Sequence, residues 1–333
     1  VRSRGLGDVY KRQLKFHPIL KQTLWGGERI IPYKELASGL SRVGESWELS
    51  GMPGSESVVA EGPWAGSTLS ELIGRFGAEL LGKANYARFG QEFPLLVKFI
   101  DAREDLSIQV HPDDELARKR HGKSGKCEMW YVLEAEPGAS LLTGFSRPIA
   151  PAEYERRVAD NTLTDVLNRQ AIASGDVFYL PAGRVHSIGK GSFIVEIQQS
   201  SDITYRIYDF DRRDAAGNSR ELHTELAREA IDFESSENSR ITYAPENNQE
   251  VRLVTTPYFT TSLYTLTART RCDWSATDSF VAIVLLQGSG SLTDNEGNRI
   301  DVRQGETWLL PASTQWTEIT PHTAPLRLLT SRI

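Results

Sequence analysis

The sequence has little cysteine and no long apolar run. Its 333 residues include two cysteines, Cys127 and Cys272, which form neither a disulfide framework nor a CxxC pair. This usage is typical of a reducing compartment, so we expect a cytoplasmic protein. No stretch approaches the roughly 18 consecutive apolar residues that a membrane span needs, so we expect no membrane partner.

An excess of basic charge is also missing. The chain carries 38 Lys and Arg against 44 Asp and Glu, a net charge of −6. Such a balance provides no positive field for a nucleic acid, so we expect no nucleic-acid partner. Hydrophobic residues make up 39% and charged residues 25%, which is ordinary for a globular protein long enough for two domains.

The first thirteen residues differ from the rest. VRSRGLGDVYKRQ carries four basic residues and one acid, and it lacks the apolar centre of a signal peptide. We interpret residues 1–13 as a non-native leader and expect the fold to begin near Leu14.

The remaining chain is dominated by β patterns. Short segments rich in branched and aromatic residues alternate with turn signals, for example FPLLVKFIDA, EMWYVLEA, SFIVEIQQ and FVAIVLLQ. Helical periodicity is confined to residues 67–90, where Ser67 or Ser70 could cap a helix, and to residues 151–172. Strands and helices do not alternate regularly, which excludes a doubly wound parallel sheet. We predict a mainly β fold with a few inserted helices.

One phrase occurs twice. GDVFYLPAGRVHSI begins at Gly175, and GETWLLPASTQWTEI begins at Gly305. A polar, apolar-poor stretch at residues 234–250 separates the two halves, as a linker would. The repeat predicts two similar β units, a catalytic one over residues 14–240 and a degenerate, non-catalytic one over 241–333.

Two histidines of the first half lie in a pattern suited to a metal ion. Gln109 and His111 are two apart in SIQVHPDD and share one face of a strand, Glu128 lies on the inward face of the next, and His186 follows a turn. Two imidazoles, a carboxylate and an amide oxygen form a site for a divalent ion such as Zn²⁺. The alternative is that Gln109 and His111 merely form a turn into Pro112.

The first copy of the phrase matches a known motif. Gly175, Pro181, Gly183 and His186 fit the second cupin motif, G(X)5PXG(X)2H. Its usual companion is altered, because Gln109 takes the place of the first histidine. The residues DDELARKRHGKSGK that follow would be an inserted surface loop. Cupins are jelly-roll β-barrels, so we expect two such barrels.

Several motifs occur together in one order: LKQTLWGG, GESWELS, PLLVKFIDA, LSIQVHPDD, GKCEMWY, PAGRVHSI and ITYRIYDFDR. In them the chain resembles the type I mannose-6-phosphate isomerases in their short bacterial form, over nearly all of residues 14–333. The resemblance implies a cupin fold, one divalent metal ion, usually zinc, and interconversion of mannose 6-phosphate and fructose 6-phosphate. It implies Arg206 as the active-site arginine and four metal ligands: Gln109, His111, Glu128 and His186.

Such a reaction moves a proton between C1 and C2 through a cis-enediol(ate) and needs cations for the oxyanion and the phosphate. Lys98, Lys126 and Arg206 are the candidates for substrate and phosphate binding. Lys126 should share the face of Glu128, where a bound cation would make its proton labile, so a role as base or proton shuttle is open. The alternatives are a loop-end lysine at 126, a salt-bridged lysine at 98, and a pairing of Arg206 with a nearby aspartate.

Glu196 lies in the apolar strand FIVEIQQ, shortly after His186. Burial would make this carboxylate a stronger base, so it is a second candidate for proton transfer together with Arg206 and Lys126. The alternative is a carboxylate that only orients a histidine or an arginine.

Two other functions compete with an isomerase that acts on a small sugar phosphate as a monomer or weak homo-oligomer. A non-catalytic sugar-binding or regulatory cupin would have lost metal ligands or cations, and this sequence retains both. An Fe(II) cupin dioxygenase needs several open metal positions for oxygen. The lysines and arginine suit a phosphorylated substrate better. In the second copy of the phrase, Ser313 and Trp316 replace Gly183 and His186, so we expect one metal ion, held in the first unit.

Overall fold

A computed structural model of the protein describes residues 13–214, 216–234 and 238–333. Residues 1–12 of the expected leader lie outside the described residues. Gln13 is buried, and its side-chain Nε2 donates to Asp294 Oδ2 at 2.8 Å. The described chain is therefore packed into the fold from Gln13 onward.

Strands form most of the regular structure, and their bounds are listed by half. The strands up to residue 241 are β1 (Leu14–Lys15), β2 (Ile19–Gly27), β3 (Val43–Leu49), β4 (Gly51–Met52), β5 (Ser55–Glu56), β6 (Leu95–Ala102), β7 (Ile108–Val110), β8 (Glu128–Ala135), β9 (Ser140–Phe145), β10 (Leu167–Ala171), β11 (Val177–Leu180), β12 (His186–Ile188), β13 (Ser192–Gln199), β14 (Tyr205–Tyr208) and β15 (Arg240–Ile241). The later strands are β16 (Val251–Thr255), β17 (Thr260–Leu266), β18 (Thr270–Asp273), β19 (Val281–Gln287), β20 (Ser289–Asp294), β21 (Arg299–Arg303), β22 (Thr307–Leu310), β23 (Trp316–Pro321) and β24 (Leu326–Arg332).

The helices are short and lie mostly in the first half. They are α1 (Ile30–Tyr33), α2 (Leu69–Phe76), α3 (Ala78–Leu81), α4 (Lys83–Phe89), α5 (Asp114–His121), α6 (Pro151–Ala159) and α7 (Thr224–Ala230), with a 3₁₀ helix at Leu163–Val166. No helix of the described residues is both long and apolar enough to cross a membrane.

Four antiparallel sheets carry the fold. Sheet I has the order β15-β11-β8-β13-β6-β2-β3, and sheet II the order β10-β9-β12-β7-β14. Sheet III has the order β1-β22-β19-β24-β17-β16, and sheet IV the order β18-β23-β20-β21. Sheets I and II face each other across one apolar cluster, and sheets III and IV across another. The mainly β, cupin-like fold with inserted helices is confirmed.

The two pairs of sheets repeat one design. The order β11-β8-β13-β6 in sheet I corresponds to β22-β19-β24-β17 in sheet III, and β7-β12-β9-β10 in sheet II corresponds to β18-β23-β20-β21 in sheet IV. We call sheets I and II the first unit, and sheets III and IV the second unit. The edge strand β14 of sheet II has no counterpart in sheet IV.

A large shared core joins the units. Phe99, Phe193 and Met129 of sheet I lie in one buried cluster with Val284 and Leu309 of sheet III. Because sheet I has apolar cores on both faces, every residue of β6 and β13 is buried. The start of the fold also joins the second unit, since β1 pairs with β22 of sheet III.

Three features of the inserted segments differ from the sequence prediction. Residues 67–90 form three helices instead of one, broken at Gly77 and Gly82, and the cap is Thr68, whose hydroxyl accepts from Glu71 N. Residues 151–172 are helical only as far as residue 166, because β10 then pairs with β9. The expected loop after His111 contains α5, capped by the Asp113 side chain.

Candidate functional site

Three of the predicted site residues form a row across sheet II. His186 on β12 lies opposite Gln109 on β7, and Gln109 lies opposite Arg206 on β14. Because opposite residues in an antiparallel sheet point to the same face, the imidazole, the carboxamide and the guanidinium share one side of the sheet. The turn before His186 is closed by Arg184 N donating to Pro181 O at 3.2 Å, and Gly183 has a φ of +86° that only glycine adopts readily.

Glu128 reaches this row from sheet I. It is the first residue of β8, and its carboxylate lies between the two histidines. Glu128 Oε2 is 3.4 Å from His111 Nε2, and Glu128 Oε1 is 3.3 Å from His186 Nε2. The three side chains are buried, and one ligand atom from each lies within 4.8 Å of the others.

The orientation of both imidazoles is determined by the backbone. His111 Nδ1 donates to Ile203 O at 2.8 Å, and His186 Nδ1 donates to Arg184 O at 2.8 Å. Each ring therefore keeps its Nε2 lone pair for the interior. His111 Nε2 and both Glu128 oxygens are buried without a hydrogen-bond partner, an arrangement that costs stability unless a cation binds there.

These distances fit a small divalent ion. Zinc binds histidine nitrogen and carboxylate oxygen at about 2.0–2.2 Å, and tetrahedral angles then separate neighbouring donors by about 3.3–3.6 Å. The two donor separations of 3.4 and 3.3 Å involving Glu128 match this spacing. Two imidazole nitrogens and a carboxylate form a donor set of the chemistry that divalent metal ions bind.

Electrostatics keep the donors in their ligand forms. Burial, together with the Lys126 ammonium, lowers the pKa of His111 to about 4, and burial lowers the pKa of His186. Burial alone would raise the pKa of Glu128, but Lys126 and the two imidazoles hold it well below its usual range. At neutral pH the imidazoles are neutral and the carboxylate is ionised.

Gln109 is adjacent to the three donors. Its Nε2 donates to His186 Nε2 at 3.3 Å, and its Oε1 accepts from Ser107 Oγ at 3.3 Å. A rotation of the carboxamide by 180° exchanges the two atoms and turns the oxygen toward the donors, as a metal ligand would require.

The two predicted lysines occupy different parts of the barrel. Lys126 is buried, and its Nζ is 3.0 Å from Glu128 Oε2, directly beside the metal donors. Lys98 lies two strands away from β8, and its Nζ is 2.9 Å from Glu196 Oε1 and 3.7 Å from Glu45 Oε2. Burial disfavours the charged form of Lys98, yet these carboxylates raise its pKa overall.

Glu196 is fully engaged. One oxygen binds Lys98, and the other accepts from Trp130 Nε1 at 3.0 Å. Glu196 therefore orients a lysine and a tryptophan, and not a histidine or an arginine as the alternative interpretation had it.

Arg206 has no carboxylate within ion-pair distance among the described residues. Its Nε donates to Ser107 Oγ at 3.3 Å. The alternative was a salt bridge to a nearby aspartate, Asp209 or Asp211. Arg212 and Arg220 pair with the Asp209 carboxylate instead, and Asp211 is not within ion-pair distance of Arg206. Burial and the neighbouring Arg220 lower the pKa of Arg206. The guanidinium is thus a half-buried cation available to an anion.

An open cleft of about 560 Å³ lies beside these residues. Trp25, Arg42, Glu45 and Arg220 contribute to its lining. Glu45 connects it to the barrel interior, because its carboxylate is 3.7 Å from Lys98 Nζ.

The corresponding positions of the second unit carry no such donor set. In the first unit Glu128 pairs with Leu180, and in the second unit Val281 pairs with Leu310. Val281 therefore occupies the position of Glu128. Likewise, His186 pairs with Gln109 in the first unit and Trp316 pairs with Asp273 in the second. Trp316 and Asp273 therefore occupy the positions of His186 and Gln109. The turn persists, since Thr314 N donates to Pro311 O at 2.9 Å. Buried Trp274 and Trp308 fill the interior.

Sequence reasoning missed three residues of the site. Glu45 contacts Lys98, Ser107 connects Arg206 to Gln109, and Trp130 holds Glu196. Glu45 belongs to the motif GESWELS, and Trp130 follows Glu128 by two residues in the predicted strand EMWYVLEA, so the sequence held a signal for each. Ser107 precedes its strand and has no distinctive pattern.

Comparisons with known proteins agree on one family. Residues 14–141 match the family model for the catalytic domain of type I phosphomannose isomerase. The chain is 34% identical to mannose-6-phosphate isomerase ManA of Bacillus subtilis, over 90% of this chain and 92% of that protein. It is 34% identical to the mannose-6-phosphate isomerase of Streptococcus mutans, over 88% and 90%. The crystal structure of mannose 6-phosphate isomerase from Bacillus subtilis superposes with a TM-score of 0.86 at 29% identity, covering 96% of this chain and 99% of that one.

Proposed function

The chain belongs to the type I mannose-6-phosphate isomerases, and we propose that it interconverts mannose 6-phosphate and fructose 6-phosphate using one divalent metal ion, Zn²⁺. The proposed metal ligands are Gln109, His111, Glu128 and His186. One observation carries the proposal: the buried donor set of His111, Glu128 and His186 lies in the same unit as the cations Lys98, Lys126 and Arg206. These cations suit a phosphorylated substrate, whereas the reaction of a dioxygenase with oxygen does not require them.

A bound divalent ion would supply Lewis acidity for the substrate's carbonyl and hydroxyl oxygens. The protein supplies the remaining chemistry. We assign the proton transfer between C1 and C2 to Lys126, because its Nζ borders the donor set at 3.0 Å from Glu128. The intermediate is a cis-enediol(ate), whose developing negative charge requires a fixed cation nearby.

Arg206 is proposed to supply that fixed charge and to attract the phosphorylated sugar. Its guanidinium has no carboxylate partner in the described part of the chain, so it does not have to break an ion pair to bind an anion. Lys98 and Glu196 form a buried pair two strands away from β8. We propose that Lys98 binds substrate oxygens and that Glu196 holds it in place, exchanging a proton only when one of its two hydrogen bonds opens.

A coupled assay tests the function. Purified protein with Zn²⁺ and mannose 6-phosphate should form fructose 6-phosphate, and dialysis against a chelator should abolish the activity until metal is restored. Metal analysis should find one ion per chain, since the second unit lacks the donors. Full activity after complete metal removal would contradict the metal, and oxygen consumption without isomerisation would contradict the reaction.

A further inference from the structure

The segment that follows β14 folds back on Arg206. Residues 209–214 and 216–223, which we call the strap, leave the strand and return: Gly217 N donates to Asp214 O at 2.9 Å, and Arg213 and Ser219 form an antiparallel bridge. Asp209 ties the two arms together, because its carboxylate accepts from both Arg212 and Arg220. The strap ends at His223, immediately before α7.

His223 contacts the backbone of Arg206 in an unusual way. Its N–H donates to Arg206 O at 2.6 Å, and its imidazole Nδ1 accepts from Arg206 N at 3.2 Å. The edge strand β14 has no strand on this side. The imidazole nitrogen therefore replaces the carbonyl that a neighbouring strand would provide, and it satisfies an amide that would otherwise lack a partner.

The same segment also holds the guanidinium. Arg206 Nη1 donates to Glu221 O at 3.1 Å, and Arg206 Nε donates to Ser107 Oγ at 3.3 Å. The backbone of Arg206 is thus clamped by residue 223 and its side chain by residue 221. Both contacts depend on the register between the end of the strap and β14.

We propose that His223 is a positioning residue for the isomerase reaction, which acts through Arg206 by fixing its backbone and the register of the strap. This inference rests on the proposed function, because it assumes that the Arg206 guanidinium stabilises the transition state. His223 itself touches neither the metal donors nor the cleft lining named above. Displacement of a catalytic group by about 1 Å costs on the order of 100-fold in rate, so the clamp affects turnover without adding a contact to the substrate.

The first test compares His223→Ala with His223→Asn. Alanine removes the acceptor, and we expect kcat to fall on the order of 10- to 100-fold with unchanged metal content. Asparagine places its Oδ1 where the imidazole has Nδ1 and should restore most of the activity. Leu222→Ala is the control, since it truncates an exposed neighbouring side chain of the strap and leaves the backbone contacts intact. A wild-type kcat in His223→Ala would overturn the proposal.

A double-mutant cycle separates positioning from a general structural role. In an Arg206→Ala background the clamp has no guanidinium to position, so adding His223→Ala should leave the residual kcat unchanged. A further tenfold loss in that background would show that His223 acts on the fold and not through Arg206.

Hydrogen exchange gives a readout that does not depend on activity. The Arg206 amide should exchange faster in His223→Ala and return to the wild-type rate in His223→Asn. If wild-type protein shows no isomerase activity, the proposed function fails. If wild-type protein is active and neither the exchange rate nor kcat responds to His223→Ala, only the positioning role fails.

Discussion

At the scale of single residues, the two imidazoles are prepared for a metal ion by their own hydrogen bonds. Each Nδ1 donates to a backbone carbonyl, so each Nε2 faces the Glu128 carboxylate as an acceptor. We expect His111→Ala or His186→Ala to lower the metal content well below one ion per chain and to abolish turnover. Metal analysis and the coupled assay measure both. His322→Ala, in the second unit, is the control, and retained metal in both site variants would contradict the assignment.

The Arg206 guanidinium should separate metal binding from catalysis. Arg206→Ala leaves the buried donors untouched, so the bound metal should remain. Loss of a fixed charge that stabilises the transition state typically costs about 3–4 kcal/mol, so kcat/KM should fall on the order of 100- to 1,000-fold. Steady-state kinetics with parallel metal analysis check this outcome. Arg206→Lys keeps the charge without the fork of donors and should show an intermediate loss. A near wild-type kcat/KM in Arg206→Ala would exclude the role.

The buried His111 also predicts how the metal-free protein responds to acid. Its pKa is about 4 in the folded protein, whereas an unfolded histidine titrates near ~6.5. Between these values the unfolded state binds the extra proton, so stability is complete above about pH 6.5 and declines as the pH falls toward 4, by about 3 kcal/mol. Urea unfolding at pH 7 and pH 4.5 measures the decline. His111→Gln should show a shallower decline, and equal slopes would contradict the shift.

At the scale of elements, the break between α3 and α4 is set by a contact with Asp278, far along the chain. Gly82 has a φ of +95°, and a Cβ there would lie 2.1 Å from the Asp278 carbonyl oxygen. Asp278 in turn accepts from Lys83 N and Ala84 N at the start of α4. The helical pattern of residues 67–90 could not reveal this, because Asp278 is almost two hundred positions away in the chain.

Gly82→Ala should therefore destabilise the protein by about 1–3 kcal/mol, the usual cost of a strained backbone position. Gly74→Ala is the matched control, because its nearest neighbour would be a flexible Gln91 side chain at 3.7 Å. Alanine at 74 should be neutral or stabilise by up to about 1 kcal/mol. Urea denaturation of both variants distinguishes them, and equal midpoints would show that Gly82 is not constrained by Asp278.

Local patterns located most strands but not the boundary between helix and strand after α6. The apolar spacing of Leu163, Val166 and Leu167 suits a helix, yet β10 begins at residue 167 because it completes sheet II beside β9. Pairing along a sheet edge thus overrode helical periodicity. The sequence pattern also did not reveal α5, because this helix is short and mostly polar and its periodic signal is therefore weak.

At the scale of the whole molecule, a buried ion pair connects the two units. Lys34 Nζ is 2.8 Å from Glu48 Oε2 and also donates to the carbonyl of Gly305, the glycine that opens the second copy of the repeated phrase. Ser46 Oγ completes the pair by donating to Glu48 Oε1. The first residue of the second copy thus takes part in a contact between the units.

Lys34→Met should leave the Glu48 carboxylate buried without its cation, which costs about 3–5 kcal/mol. Because the contact spans both units, we expect one cooperative unfolding transition at a lower urea midpoint. Replacing Glu48 as well, by leucine, should recover part of the loss. Unfolding followed by tryptophan fluorescence tests both variants, and a single variant with the wild-type midpoint would show that the pair contributes nothing.

The sequence by itself determined the β character, the repeated phrase and the identities of the candidate donors, because strand alternation and motif spacing are local properties. Only the tertiary structure decided that His186, Gln109 and Arg206 form one row, that Lys98 is held by Glu196, and that His223 clamps Arg206. These arrangements depend on strand pairing between residues far apart in the chain. Val281 and Trp316 illustrate the difference. The repeated phrase alone places Trp316 at the position of His186, whereas only the strand register shows that Val281 stands where the first unit has Glu128.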